Sequence, residues 1–227
     1  MSTTDTGSRG DQTREALLEA ALDIFGQAGF DAASTRAIAD SAGANQALIS
    51  YHFDGKRGLY RAVFENIVAE MQQLMEPVIE EVMDRLGNLA DVETERRHQA
   101  VQLMDLAFSA IIDMFGCPAS AKWVRLMVRE QQDPSEVFQV VYQGIMGEMM
   151  EMLTHLVSVA SGLDAASEAC RVRTYMLVGQ VLIFHIGRGT VTEYLSWREL
   201  TPANIKTFKE QFRISLESQF SPGAVFQ

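Results

Sequence analysis

Residues 13–60, TREALLEAALDIFGQAGFDAASTRAIADSAGANQALISYHFDGKRGLY, decide how this chain folds. Ala16, Leu17, Ala20, Ala21, Ile24, Phe25 and Ala28 recur at helical spacing and draw one apolar stripe, so a first helix is expected over 13–27, with Gly29 as its stop. Ser34 or Thr35 can cap a second, short helix running to residue 42, and Gly43 permits the left-handed residue that reverses the chain. Asn45 can cap a third over 46–51. Ile24, Phe25, Phe30, Ile38, Ala39, Ile49, Phe53 and Leu59 then supply a miniature core, too small to hold without the long helix expected from Lys56. That core pins one side of the third helix and leaves the other side free.

The free side carries Gln46, Ala47, Ser50, Tyr51 and His52, short or flat groups able to donate, accept or touch a thymine methyl in the major groove. Thr35, Arg36 and Lys56 stand around it, within reach of phosphates. The run F-x-x-x-G-F-D-A-A-S-T-R-x-I-A-x-x-A-G-A-N-Q-A-L-I-S-Y-H-F-x-G-K-R-G-L-Y resembles, without a gap, the DNA-binding domain of the TetR family of bacterial transcription regulators. The resemblance implies that residues 45–51 form the recognition helix and that Lys56 holds a phosphate. It carries Thr35, Arg36, Asn45, Gln46, Ala47, Ser50, Tyr51, His52 and Lys56 over as DNA contacts. Within residues 1–60 five basic side chains (Arg9, Arg14, Arg36, Lys56, Arg57) face eight acidic ones, so placement has to compensate for charge.

The rest of the chain also reads as helix. Only 5 prolines and 16 glycines interrupt 227 residues, and about nine helices are expected in an all-α fold. A long helix from Lys56 should kink or split at Pro77. Asp133-Pro134-Ser135-Glu136 has the form of a capping box with proline at the first helical position, opening a helix towards Gly162. Further helices are expected over 164–188 and from Thr201-Pro202 onward. The domain division expected is a flexible arm at 1–10, a helix-turn-helix head at 11–58, and an effector-binding and dimerisation domain at 59–227. Arg129-Glu-Gln-Gln-Asp-Pro-Ser, followed by Phe138, resembles the CecR-like subgroup, which implies a regulator answering to a small hydrophobic compound.

One recognition helix reads too few base pairs for specificity at ~1–3 kcal/mol per good contact, so a homodimer on an inverted-repeat operator in double-stranded DNA is expected. Val172, Met176, Gly179, Ile183 and Ile186, with Ile205, Phe208 and Phe212 on the last helix, are the expected interface. Methionines crowd the middle of the chain. Met104, Phe108, Trp123, Met127, Tyr142, Met146, Met149 and His155 are candidates to line an effector pocket, with Arg125, Arg129, Glu130 and His185 as further polar selectors. Repression relieved by a small hydrophobic or aromatic effector is the expected action, with activation left open by the residues.

Other classes find little support. The chain holds no HExxH, GxSxG, P-loop or GxGxxG run, and its four histidines and two cysteines have no metal-ligand spacing, so no catalytic residue, metal or cofactor is expected. An all-helical enzyme remains the competing class. The longest nearly apolar run, residues 176–187, falls short of the ~20 residues that cross a bilayer. The first ten residues lack the pattern of a secretory signal, and Cys117 and Cys170 are expected as two buried thiols in a reducing cytoplasm. A net charge of −11 argues against a generally basic coat, though not against a local DNA-reading face.

Overall fold

The computed structural model describes residues 9–117, 120–198 and 200–221, and among them every regular element is a helix. Residues 1–8 of the expected arm and Pro118 lie outside the described residues, as does the His185 side chain. The helices are α1 (Arg9–Ala32), α2 (Thr35–Ser41), α3 (Ala47–Phe53), α4 (Lys56–Gly87), α5 (Glu93–Gly116) and α6 (Ser120–Gln132). They continue as α7 (Phe138–Val141), α8 (Gly147–Ser161), α9 (Glu168–Ile186), α10 (Arg188–Tyr194) and α11 (Pro202–Gln219), with a π-helical turn over Tyr142–Met146 between α7 and α8. No described helix is long and apolar enough to cross a membrane.

Two compact units result. One joins Met1–Glu70 with Ala121–Tyr142, the other joins Met71–Ser120 with Gln143–Gln227. The division expected after residue 58 is therefore not the division by compactness: α4 passes residue 58 unbroken, and α6 and α7 belong with the head.

In the first unit Leu17, Ala21, Phe25, Ile38, Ile49, Leu59, Phe64 and Leu126 are fully buried, each large apolar side chain contributing about 1.5–3 kcal/mol. Gly29 sits at φ 81 and breaks α1 where a stop was expected. The Ser34 hydroxyl accepts from the Ala37 N–H at the start of α2, Gly43 turns the chain at φ 63, and Asn45 Oδ1 accepts from the Ala47 N–H at 2.9 Å to start α3. A tight corner with Asp54 at φ 58 and Gly55 at φ 95 leads into α4. There Gly58 is indispensable, since a Cβ on it would stand 1.7 Å from the Phe53 carbonyl oxygen.

The capping box expected at Asp133 is not formed. Glu130, 4% exposed, takes the Ser135 N–H at 2.7 Å and the Ser135 hydroxyl at 2.6 Å, and Ser135 Oγ accepts from the Val137 N–H. Glu130 thus occupies the Ser135 N–H that an Asp133 cap would have accepted. Residues 133–137 therefore form a turn, and helix resumes only at Phe138.

The second unit is built on α5 and α8, with α9 and α11 packed beside them. Leu103, Met104, Ala107, Phe108, Leu153, Leu156 and Val157 form its interior. Pro77 lies inside α4 without splitting it; Met75 and Val82 on either side are fully buried, and that packing holds both halves in one helix against the proline penalty of about 3 kcal/mol. The π turn leaves a carbonyl at Gly144 that the Gln72 side chain satisfies at 2.9 Å. Helix α9 starts at Glu168 rather than Asp164, because Ser167 caps it and Asp164 instead accepts from the Ala166 N–H in the preceding turn. Cys170 is buried, but Cys117 is exposed: it is the extended C-cap residue of α5, past the last helical residue Gly116, where no helix face carries it inward.

Candidate nucleic-acid interface

Helix α3 has the two faces its sequence implied. Ile49 and Phe53 point into the core, while Gln46, Ala47, Ser50 and Tyr51 face outward, Tyr51 with 79% of its surface free. The Tyr51 ring meets His52 edge-on at 4.9 Å, so the two aromatics brace each other at the C-terminal end of α3. Phe53 faces inward, with the Arg14 guanidinium 5.3 Å above its ring.

The residues around α3 are already engaged. Gln46 Nε2 donates to Thr35 Oγ1 at 2.9 Å, which ties the first turn of α2 to the start of α3 and sets the rotamer of Gln46. Sequence spacing placed Thr35 near a phosphate; it does not reveal this bond, because the partners lie eleven positions apart. Arg36 is exposed beside Asp40 at 4.0 Å, a weak pairing that a phosphate can displace. Lys56 is half-buried: its ammonium donates to the Asp31 carbonyl at 3.1 Å and lies 4.7 Å from the centre of the Phe30 ring. Two of its three N–H donors remain for a phosphate, and it also closes α1 against α4. We expect Thr35→Val to alter base preference at the position nearest Gln46 with little change in overall affinity, which selection from a randomised half-site would read. Arg36→Ala should instead lower affinity for every sequence and reduce the salt slope by about one per subunit.

Behind this surface, the Tyr60 hydroxyl donates to Glu130 Oε2 at 3.1 Å. Burial pushes that hydroxyl well above the usual tyrosine range, and the neighbouring carboxylate adds to the shift by repelling a phenolate. The unfolded chain ionises this tyrosine near pH 10 whereas the folded chain keeps its proton, so the contribution to stability is complete below about pH 10 and is lost as pH rises beyond it. Unfolding free energy should therefore drop more steeply above that pH in the parent chain than in Tyr60→Phe.

The expected pocket and interface residues are distributed as follows. Trp123, Met127 and Tyr142 belong to the first unit, and Met104, Phe108, Met146, Met149 and His155 to the second. Met104 and Phe108 are fully buried in core packing, whereas Tyr142 and His155 are exposed. A cleft of about 670 Å³ in the first unit is lined instead by Phe30, Arg57, Tyr60, Arg129, Glu130 and Val137 among others. On α9, Val172, Met176, Ile183 and Ile186 are each more than half exposed, joined by Tyr175, and a Cβ on Gly179 would meet nothing. The α11 residues turn the other way. Phe208 stacks on Phe184 at 3.8 Å, Phe212 is buried 4.9 Å from Phe108, and Ile205 lines a groove with Cys117 and Lys206, so these three pack within their own unit.

Comparisons with known proteins match both parts of the chain. The family described as bacterial regulatory proteins, tetR family, matches residues 17–63, and the C-terminal domain of the HTH-type transcriptional dual regulator CecR matches residues 100–218. The chain is 29% identical over 189 residues to the HTH-type transcriptional dual regulator CecR of Shigella flexneri, covering 83% of this chain and 82% of that one. It is 32% identical over 99 residues to the probable HTH-type transcriptional regulator YttP of Bacillus subtilis, covering 44% and 42%. Among solved structures its fold is similar to that of AibR in complex with isovaleryl coenzyme A and operator DNA, with TM-score 0.62 and 15% identity over 92% of this chain and 99% of that one. It is likewise similar to FadR from Bacillus subtilis in complex with stearoyl-CoA, with TM-score 0.58 and 14% identity over 89% and 96%.

Proposed function

Because this chain belongs to the TetR family of bacterial transcriptional regulators and carries a CecR-type C-terminal domain, we propose that it acts in the cytoplasm, without catalysis, as a homodimeric repressor released from an inverted-repeat operator by a small hydrophobic effector. The observation that carries the DNA-reading part is the outward face at the start of and along α3, where Gln46, Ala47, Ser50 and Tyr51 are exposed while Ile49 and Phe53 anchor the helix. Arg36 and Lys56 supply cations beside it, and Thr35, Asn45 and His52 hold the reading residues in place. In this reading Tyr51 and Gln46 meet base edges, and Arg36 and Lys56 meet phosphates.

A dimer follows from geometry and specificity together. Two α3 helices in successive major grooves stand about 34–36 Å apart, and the exposed apolar face of α9 supports a second copy of the chain as its cover. The methionines at the end of the π turn and in α8, with Met146 and Met149 half-buried in the second unit, support an adaptable apolar effector site. An effector that prefers one conformation of the dimer shifts the population away from the DNA-competent one.

The direct test is selection of genomic DNA fragments by the purified protein at near-physiological salt. A few fragments sharing an inverted repeat, with half-sites one helical turn apart, are the expected recovery. Fragments that share no repeat would overturn the dimeric-operator reading.

A further inference from the structure

The sequence R-E-x-x-x-P-S at 129–135 has a physical role that DNA reading by α3 does not by itself explain. Four charged side chains of the segment 120–136 reach α1 or α4 within the first unit: Lys122, Arg129, Glu130 and Glu136, the last 3.7 Å from Arg57. Lys122 meets Glu19 at 3.3 Å and Asp23 at 3.5 Å, and Arg129 donates to the Gln27 carbonyl at 3.3 Å. Glu19, Asp23 and Gln27 are successive turns of one face of α1, so α6 runs along α1 in the same sense. Gly26 lies between these contacts, and a Cβ there would stand 3.4 Å from the Lys122 carbonyl. Arg129 also fills the space outside the Gly29 break, 2.8 Å from where a Cβ would be.

Glu130 completes the arrangement. Its carboxylate is 4% exposed and takes three donors, the Tyr60 hydroxyl and the Ser135 N–H and hydroxyl. Tyr60 lies one turn beyond Lys56 on α4, and both pack on Phe30, the Tyr60 ring at 4.9 Å and the Lys56 ammonium at 4.7 Å. Lys56 in turn holds the Asp31 carbonyl just before α2. One connected set of contacts thus runs from the 133–137 turn through Tyr60, Phe30 and Lys56 to the residues that launch α2 and α3.

We propose that Glu130 is a positioning residue for DNA reading: held between Ser135 and Tyr60, with Arg129 at the Gly29 break, it clasps the corner of α1 and α4 and so fixes the pose in which α2 and α3 are presented. This rests on the assignment of α3 as the DNA-reading helix. A fixed pose matters because base-edge contacts need ångström-level register, whereas phosphate contacts tolerate small displacements. Loss of the clasp therefore lowers discrimination before it lowers general affinity.

The experiment uses the full-length protein with the selected operator and an unrelated duplex of equal length. Glu130→Gln should cut the ratio of operator to non-specific affinity at least tenfold with an unchanged salt slope. Tyr60→Phe, which keeps the ring among Phe25, Phe30 and Phe64, should cut it by a smaller factor, and the double variant should be no worse than Glu130→Gln. That ratio does not respond to partial unfolding, which removes both kinds of binding together. In the DNA-free protein, amide hydrogen exchange over residues 28–53 should be at least tenfold faster in Glu130→Gln. An unchanged ratio, or exchange as slow as in the parent chain, would overturn the clasp. A parent chain that prefers no duplex would overturn the DNA-reading assignment and the positioning role with it, while the exchange result would still report separately whether Glu130 holds the corner.

Discussion

Tyr51→Ala should remove operator-specific binding and leave the unfolding transition where it is in the parent chain. The side chain is 79% exposed and its ring contact is with His52, which lies on the same helix, so truncation withdraws almost nothing from the core. In the proposed complex the same ring would supply a flat surface for a thymine methyl and a hydroxyl for a base edge. A good base contact contributes ~1–3 kcal/mol, and the dimer presents it twice, so the loss is about 2–6 kcal/mol, roughly 30-fold to 10⁴-fold in affinity. Fluorescence anisotropy with the selected operator reads the affinity, and calorimetry reads the fold. A lowered transition temperature with intact binding would make Tyr51 a packing residue and remove α3 as the reader.

The second large effect belongs to a position outside the proposed DNA contacts. Gly58→Ala places a methyl 1.7 Å from the Phe53 carbonyl oxygen, an overlap that only movement of the α3–α4 corner can relieve. The corner has little freedom to move, because Asp54 and Gly55 already hold positive φ and the Leu59 N–H donates to the Gly55 carbonyl at 3.0 Å. We expect destabilisation of about 3 kcal/mol or more, with DNA binding lost alongside. Gly43→Ala is the control. Gly43 sits at φ 63 with open space around it, so alanine there meets backbone strain alone, about 1–2 kcal/mol. Chemical denaturation of the two variants should therefore rank Gly58→Ala well below Gly43→Ala, and equal stabilities would show that the corner is not built on the Phe53–Gly58 approach.

Much of the reading head is legible without coordinates, and the reason is range. Ser34, Gly43 and Asn45 act on neighbours two to four residues away, and the spacing of Ile49 and Phe53 tells which face of α3 is buried. The exposed apolar stripe on α9 is legible for the same reason, since its residues repeat along one helix. Its expected partners on α11 are not: Phe208 and Phe212 share a face at the right spacing, yet that face meets Phe184 and Phe108. Periodicity identifies an apolar face but not the neighbour it packs on.

The capping box at 133–136 and a split of α4 at Pro77 show the same limit from the other side. Both are sound local signals, and each yields to a buried group elsewhere, Glu130 in one case and the packed Met75 and Val82 in the other. The sequence by itself determined that this is an all-helical regulator with a helix-turn-helix head whose third helix keeps one face exposed, because helix periodicity and caps are written in residues a turn apart. Only the tertiary structure decided what the charged side chains do there. Lys56 closes on Asp31, Arg129 on Gln27 and Glu130 on Tyr60, contacts spanning 25 to 102 positions whose partners are chosen by which helices pack together and not by any local pattern.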